Sequence, residues 1–578
     1  MPSAMCWRSL AEVHSESCIG PRSSFPYFLA NLEKWPLVSL NGGFISDPGQ
    51  SHDSKNRHAG VTRAAYRQPM IDLPPPTLWH RRAVMMAMAS LAVAPSFPPD
   101  APARADNDPF ALGVASGDPS GDGFVLWTRL IGPALLPLDA ASVAVRHEIA
   151  ADPGFRTVLR RGVTPARREG AHSVHVEVVG LPPGRRYWYR FHALGATSAV
   201  GCAVTVPPTS DRLRLAVSSC QHWEQARFGA YRDMIAQQPD IILQLGDYIY
   251  EQSYPDQPKV RSFGAPEPLD LAGYRQRHAL YKTDPDLQAA HRACPWVVTW
   301  DDHEVLNDYA GLANRTDEPA AIFAARRAAA YQAYFEHMPI RPSLWRGLPE
   351  PRLYRAVDWG DLASLAILDT RQHRSAPPCA DPGIARNVRL DGCADAAAPS
   401  ATIMGAAQER WLDARLASER RPWTLIGQQV FFAPLYLDSA ARSTFSDQWD
   451  GYAANRNRLL RGLSRMNTPG PVILSGDVHS FWVNDLNDSD GRPVAGEIVT
   501  SALAAASPPA GRFGDVLANN GHIRFSDVER AGYVLIDVGR TRLTANLRAI
   551  TNRQQVDSPV TSIAAFAMER GSRRLVRA

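Results

Sequence analysis

The sequence predicts a mixed α/β (α+β) fold preceded by an all-β sandwich. Two observations carry this. Residues 109–207 hold short alternating apolar segments broken by Gly/Pro turns, and from about residue 211 short apolar runs alternate with helix-length stretches. A third observation places the chemistry: several of the predicted strands run straight into clusters of Cys, Asp, Tyr and His.

The chain has 578 residues, 45% of them hydrophobic and 21% charged, with a formal net charge of +4. That is too long for a peptide hormone or a small disulfide-stapled scaffold, and too balanced in charge for global steering to nucleic acid. Only Lys34, Lys55, Lys259 and Lys282 are lysines. The arginine excess therefore reads as genomic composition, and no nucleic-acid-specific binding is expected.

Taken from the start, residues 1–69 mix Ser, Arg, Pro and Gly without helical or strand periodicity. They read as a start-site artefact with Met70 as the true start, or as a disordered extension. Residues 70–105 read as one unit. The twin Arg81-Arg82, the apolar run Ala83 to Val93 and the small-x-small Ala103-Arg104-Ala105 form a Tat-type export signal. The apolar run is too short for a spanning helix. The expected partner is the Tat translocase during export, with a periplasmic or secreted product and no stable membrane span after cleavage. In such a compartment Cys379 and Cys393, which share a Pro/Gly/Asp-rich loop, could pair as a surface disulfide or stay free. Cys202 and Cys294 have apolar neighbours and read as buried thiols.

Residues 106–207 form the predicted sandwich of immunoglobulin or fibronectin-III type. Phe124–Leu130, Ser173–Val179 and Tyr187–His192 are its clearest strands, and Pro207-Pro208 is the expected linker. Residues 208–578 form the expected catalytic domain. Its strands are Leu213–Val217, Asp240–Leu245, Trp296–Trp300, Leu362–Leu368, Trp423–Phe431 and Pro471–Leu474. Its helices are a short one carrying Phe228, Tyr231, Met234 and Ile235, then Leu269–Tyr281, Pro319–Glu336, Ala406–Leu416 and Asn455–Leu463. Thr561–Arg573 is expected as a C-terminal helix, either a partial lid or a docking helix.

Ligands of such sheets bind just beyond the carboxyl ends of the strands. There the chain carries Ser218-Ser-Cys-Gln221, Gly246-Asp-Tyr-Ile-Tyr-Glu251, Asp301-Asp-His-Glu304 and Ser475-Gly-Asp-Val-His479. Together these suggest a multinuclear metal centre. The Cys220 thiolate and Tyr250 phenolate suit a ferric ion, His479 is compatible with it, and carboxylates suit hard cations such as Ca²⁺. Asp247 is placed to bridge metals, and Asp302 to ligate a second one. His303 is a candidate to face the leaving group or a phosphate oxygen, and Arg371 to bind phosphate through its planar donors. Asp301 either orients His303 or binds a metal. Asn307 reads as a ligand or a loop residue, Asp450 as a helix cap or a pocket residue, and His222 as a rim residue.

Leu112–Pro119 with Val125–Arg129, Ser219–Gln221, Leu245–Glu251, Tyr281–Leu287, Trp300–Glu304, Leu368–Gln372, Trp449–Tyr452 and Ser475–His479 follow one another in that order along the chain. With these motifs the chain resembles the PhoD-like alkaline phosphatase/phosphodiesterases of the calcineurin-like metallophosphoesterase superfamily, over about residues 109–570. The resemblance implies a metallophosphoesterase β-sandwich flanked by helices behind an immunoglobulin-like domain. It implies one Fe³⁺ with Ca²⁺ ions: Cys220, Asp247, Tyr250 and His479 near the iron, Asp302 and Asp477 towards calcium. Against the wider superfamily, Asp302 stands for an Asn and Asp477 for a His, both changes toward carboxylate. The superfamily's isolated fourth-motif His has no clear counterpart; Gly427-Gln-Gln-Val430 stands near its place.

The expected activity is release of inorganic phosphate from phosphomonoesters, and from some diesters, by in-line attack of a metal-activated oxygen. The rivals are a dedicated phosphodiesterase or phospholipase D-like enzyme, and a cell-surface binding protein with a structural metal site.

Overall fold

In the computed structural model the apolar runs become two large sheets. The model describes residues 107–578 except 133–134, 136–140, 317, 346–349, 382–384, 439–441, 509–512 and 514–515. The expected leader (1–69) and export signal (70–105) lie outside the described residues.

The first sheet has ten strands in the order Val576–Arg577, Val560–Glu569, Arg542–Ile550, Gly532–Gly539, Arg212–Ser218, Ile241–Gln244, Trp296–Val298, Val114–Ser120, Gly123–Arg129 and Ser173–Val178. The second has seven: Arg355–Trp359, Ala363–Ile367, Trp423–Gly427, Pro471–Ser475, Pro493–Val499, Phe481–Asn487 and Ile523–Asp527. Each has a parallel centre. Arg212–Ser218, Ile241–Gln244 and Trp296–Val298 run parallel in one, and Ala363–Ile367, Trp423–Gly427, Pro471–Ser475 and Pro493–Val499 in the other.

Strand alternation explains the layering. Leu213, Leu215 and Val217 point into a core shared with Leu365, Ile367, Leu425, Val472 and Leu474 of the second sheet, while Ala216 faces outward. Helices cover both outer faces. Leu271–Lys282, Pro285–Ala293 and Ala320–His337 bury Tyr274, Leu287, Phe323 and Tyr331 against the first sheet. Gly405–Ser418 and Ala453–Arg465 bury Leu412, Leu416, Leu459 and Leu463 against the second. Local chemistry starts these helices where it should: Asp284 accepts from the N–H groups of Asp286 and Leu287 with Pro285 at the first position, and Asp270 accepts from Gly273.

The N-terminal strands enclose a core of their own, with Phe124, Leu126 and Val174 packed on Val145, Ile149, Tyr189 and Phe191, but they also join the larger sheet. Ser142–Ala150, Val158–Arg167, Arg186–Ala193, Ala196–Thr197 and Gly201–Val204 form a five-stranded sheet. Val114–Ser120, Gly123–Arg129 and Ser173–Val178 instead extend the ten-stranded sheet, with Gly117 paired in parallel with Trp296. A Cβ at Gly117 would sit 2.2 Å from the Pro339 carbonyl oxygen, so only glycine permits this approach. The junction expected at Pro207-Pro208 is thus spanned by one continuous sheet.

Thr561–Arg573 is not a helix. Val560–Glu569 is a strand paired with Arg542–Ile550, burying Phe566 and Met568 in the core between the sheets, so this segment lids nothing. Cys379 and Cys393 are joined in a disulfide with their Cα atoms 6.2 Å apart; Cys202 and Cys294 are buried and free. No helix among the described residues is long and apolar enough to cross a membrane.

Candidate metal centre

The two parallel centres deliver their carboxyl ends to one place. From the first sheet come Cys220, Asp247 and the run Asp301–Glu304; from the second come Asp369–Arg371, Gln428-Gln429 and Gly476–His479. The chain leaves these strands abruptly. Cys220 (φ 57°), Asp247 (54°), Asp308 (63°), Asp477 (66°) and His479 (53°) all adopt left-handed backbone, which non-glycine residues enter only at a cost. Two glycines let the turns nest. A Cβ at Gly246 would lie 2.4 Å from Asp301 Cβ, and one at Gly476 2.5 Å from Ser219 Oγ.

Cys220, Asp247 and His479 bring their donor atoms within 4.8 Å of one another. The Tyr250 hydroxyl donates to Asp247 Oδ2 at 2.8 Å and lies 3.0 Å from His479 Nε2. His479 Nδ1 donates to the Ala506 carbonyl at 2.8 Å, leaving Nε2 as the nitrogen turned to this cluster. Asp247 Oδ1 is buried with no hydrogen-bond partner. An orphaned carboxylate oxygen beside a thiol, a phenol and an imidazole nitrogen is the donor set of a transition-metal site, so these residues fit one.

Carboxylates make the neighbouring groups: Asp247, Asp302 and His303; Asp301, Asp302 and Asp477; and Asp302, Asp308 and Asp447. All the predicted ligands therefore come together. Asp308, Asp477 and His479 are the half-buried members, so the centre opens on their side.

Arg371 sits differently from its expected place. It is fully buried; Nε donates to Asp301, and its two terminal nitrogens donate to Asp447 at 2.7 and 2.9 Å. Its guanidinium is occupied in aligning carboxylates. Asp301 accepts from Arg371, and Glu251, not Asp301, orients His303, accepting from Nδ1 at 2.6 Å. His222 is buried rather than on a rim, with Nε2 on the Gln252 carbonyl and Nδ1 accepting from the Glu224 N–H. Asp450 accepts from the Leu435 N–H and pairs with Arg456, bracing a loop. At the fourth-motif position, Gln429 binds Thr370, Thr299 and the Leu368 carbonyl, and Gln428 binds Trp449 and Ser475. Both amides are spent on the scaffold.

Sequence reasoning passed over Glu251, Glu304, Asp308 and Asp447. Glu304 accepts from the N–H groups of Asp247 (3.1 Å), Tyr248 (2.6 Å) and Asp301 (2.8 Å), tying two metal-facing turns together. Both glutamates end motifs already singled out, and that terminal position was the available signal. Asp308 and Asp447 lie beside the noted Asn307 and Trp449 without a pattern of their own.

The electrostatics are those of a site built for cations. Burial pushes Asp247 and Asp301 well above the usual carboxylate range, Glu304 up to about 8, and Asp308 and Asp477 up to about 7, with neighbouring carboxylates adding to each. Against the push of burial, Arg371 and His303 hold Asp302 low. Burial and then Asp247 raise both the Cys220 thiol and the Tyr250 phenol. A positive ion among these groups reverses each upward shift.

Comparison with known proteins identifies the family. Residues 215–547 match the family model described as PhoD-like phosphatase, and residues 93–207 the one described as PhoD-like phosphatase, N-terminal domain. The chain is 37% identical over 489 residues to alkaline phosphatase D of Bacillus subtilis (strain 168), covering 80% of this chain and 81% of that protein. A solved structure titled "Structure of PhoD" superposes with a TM-score of 0.77 at 35% identity, covering 84% of this chain and 93% of that one. The chain belongs to the PhoD-like phosphatase family and is a phosphoesterase.

Proposed function

We propose that the protein is an exported, metal-dependent phosphoesterase that releases inorganic phosphate from phosphomonoesters and from some diesters. It would hold Fe³⁺ between Cys220, Asp247, Tyr250 and His479, and Ca²⁺ among Asp302, Asp477 and their carboxylate neighbours. The observation that carries this reading is the meeting of a thiol, a phenol and an imidazole with a dense carboxylate group at the shared carboxyl ends of two sheets. Export would be by the Tat translocase to the periplasm or outside, with the strands before residue 207 serving as an immunoglobulin-like domain.

Ions held by these donors would supply Lewis-acid stabilisation of the phosphoryl oxygens and activation of the attacking oxygen. The chain's own groups do the rest. Glu251 accepts from His303 Nδ1 and fixes the orientation of the ring, leaving Nε2 as the nitrogen that would transfer a proton at the leaving group. The Tyr254 hydroxyl lies 3.4 Å from that nitrogen, beside the path of the proton. Arg371 acts through Asp301 and Asp447, which it holds in register with Asp302 and Asp477.

The test is elemental analysis of the natively exported protein beside its hydrolysis of nitrophenyl monoester and diester. Iron with calcium and a faster monoester rate are expected. Zinc alone would overturn the metal assignment, a diester-only rate the substrate class. A Cys220→Ala variant should lose iron and activity together; loss of folding, with no activity in either form, would make the centre structural.

A further inference from the structure

With Arg371 enclosed by carboxylates, its guanidinium is not free to meet an incoming phosphate, but the C-terminal hairpin carries an arginine that is. Residues 551–559 join the strands Arg542–Ile550 and Val560–Glu569. The loop is tied to itself: Thr551 N–H donates to the Pro559 carbonyl at 3.0 Å, and Asn552 N–H to Ser558 Oγ at 2.7 Å.

The Arg553 carbonyl accepts from the Arg227 N–H at 2.9 Å. Two residues earlier, Gln225 Oε1 accepts from the Ala506 N–H at 2.7 Å, and the Ala506 carbonyl is the partner of His479 Nδ1. Three short links therefore connect Arg553 to the half-buried side on which the metal centre opens. The Arg553 side chain is itself half-buried, and its Nε is enclosed with no acceptor. No carboxylate among the described residues offsets its burial, which lowers its affinity for a proton. A half-buried guanidinium without an anion, on a loop tied through Arg227, Gln225 and Ala506 to the mouth of a phosphoesterase centre, is free to take an anionic ligand.

We propose that Arg553 is the phosphate-binding arginine of this site, donating to non-bridging oxygens of the substrate phosphate and of the phosphate product. The proposal rests on the phosphoesterase reading above. It places recognition of the dianion on a loop built from the end of the chain, separate from the carboxylate-bound Arg371.

The experiment uses metal-loaded full-length protein, with 4-nitrophenyl phosphate as substrate and inorganic phosphate as probe. In Arg553→Ala, KM and the inhibition constant of phosphate should each rise about tenfold or more, with kcat nearly unchanged. Arg553→Lys should recover part of that loss, since it keeps the charge without the fork. Metal content and thermal midpoint should match the parent. An unchanged phosphate constant in Arg553→Ala overturns the proposal, as does a rise that occurs only with loss of metal. Calorimetric phosphate binding separates the two readings. A parent protein that binds phosphate more tightly than Arg553→Ala yet hydrolyses no ester overturns the phosphoesterase reading alone; equal binding by an active parent and the variant overturns the role of Arg553 alone.

Discussion

Replacing Glu304 tests how the centre is held together. Its carboxylate accepts three backbone N–H groups: Oε2 serves Asp247 and Asp301, and Oε1 serves Tyr248. Glu304→Ala leaves all three donors buried without an acceptor, at about 1–3 kcal/mol each. Water entering the vacated space recovers part of this, so a net loss of about 3 kcal/mol is expected. Glu304→Gln can keep its oxygen on the shared pair and lose only the Tyr248 bond, for about 1–2 kcal/mol. Because one oxygen registers Asp247 against Asp301, Glu304→Ala should also weaken metal binding about 10–100-fold. Urea unfolding of the loaded protein reads the first effect, and chelator competition the second. Wild-type values for Glu304→Ala in both assays would refute the reasoning, and equal losses in the two variants would assign the effect to charge instead of geometry.

Chelation should abolish ester hydrolysis and lower stability by about 4 kcal/mol for ions present at a thousandfold their Kd, read as a fall in thermal midpoint that calcium and iron restore. Gly246→Ala places a Cβ 2.4 Å from Asp301 Cβ on backbone at φ 110°, and should cost about 3 kcal/mol or more and deplete bound metal. Replacing Cys379 and Cys393 by serine opens a short covalent loop and should lower stability by about 3 kcal/mol in denaturant titration while leaving kcat alone. Glu148, held down to about 2 first by its hydrogen bond from Arg190, adds stability above about pH 4.3 that disappears as the pH falls toward 2; Glu148→Gln should remove this acid-limb slope, worth under about 1 kcal/mol for a half-buried carboxylate whose arginine partners reach solvent.

The parallel strands and most helices were legible because each is a local pattern: an apolar run of strand length or a periodic face. So was the gathering of the candidate ligands, since a polar cluster directly after a buried strand has one place to go. What was hidden depends on partners distant in sequence. Thr561–Arg573 is rich in Ala with Met and Glu and reads as helix, yet pairing with Arg542–Ile550 and burial of Phe566 make it a strand. Arg371 suggested a phosphate donor because Asp301 and Asp447, which occupy it, lie far from it along the chain. Glu251 and Glu304 act through another side chain or the backbone, and such roles leave no periodic trace.

The pairing of Gly117 with Trp296 bears on how the protein could be cut or recombined. Relatives of this family invite treatment as two interchangeable cassettes meeting near residue 207. Here a chain begun after that point would leave Trp296–Val298 as a raw sheet margin with unsatisfied backbone groups, ready to join another molecule. It would also strip the Trp127 anchor from the Glu336 carbonyl and the Asp118 partner from Arg355. Shuffling at this seam should yield aggregates, and swaps within the five-stranded sheet should be tolerated only where Val145, Ile149, Tyr189 and Phe191, which pack on Phe124, Leu126 and Val174 of the ten-stranded one, are kept.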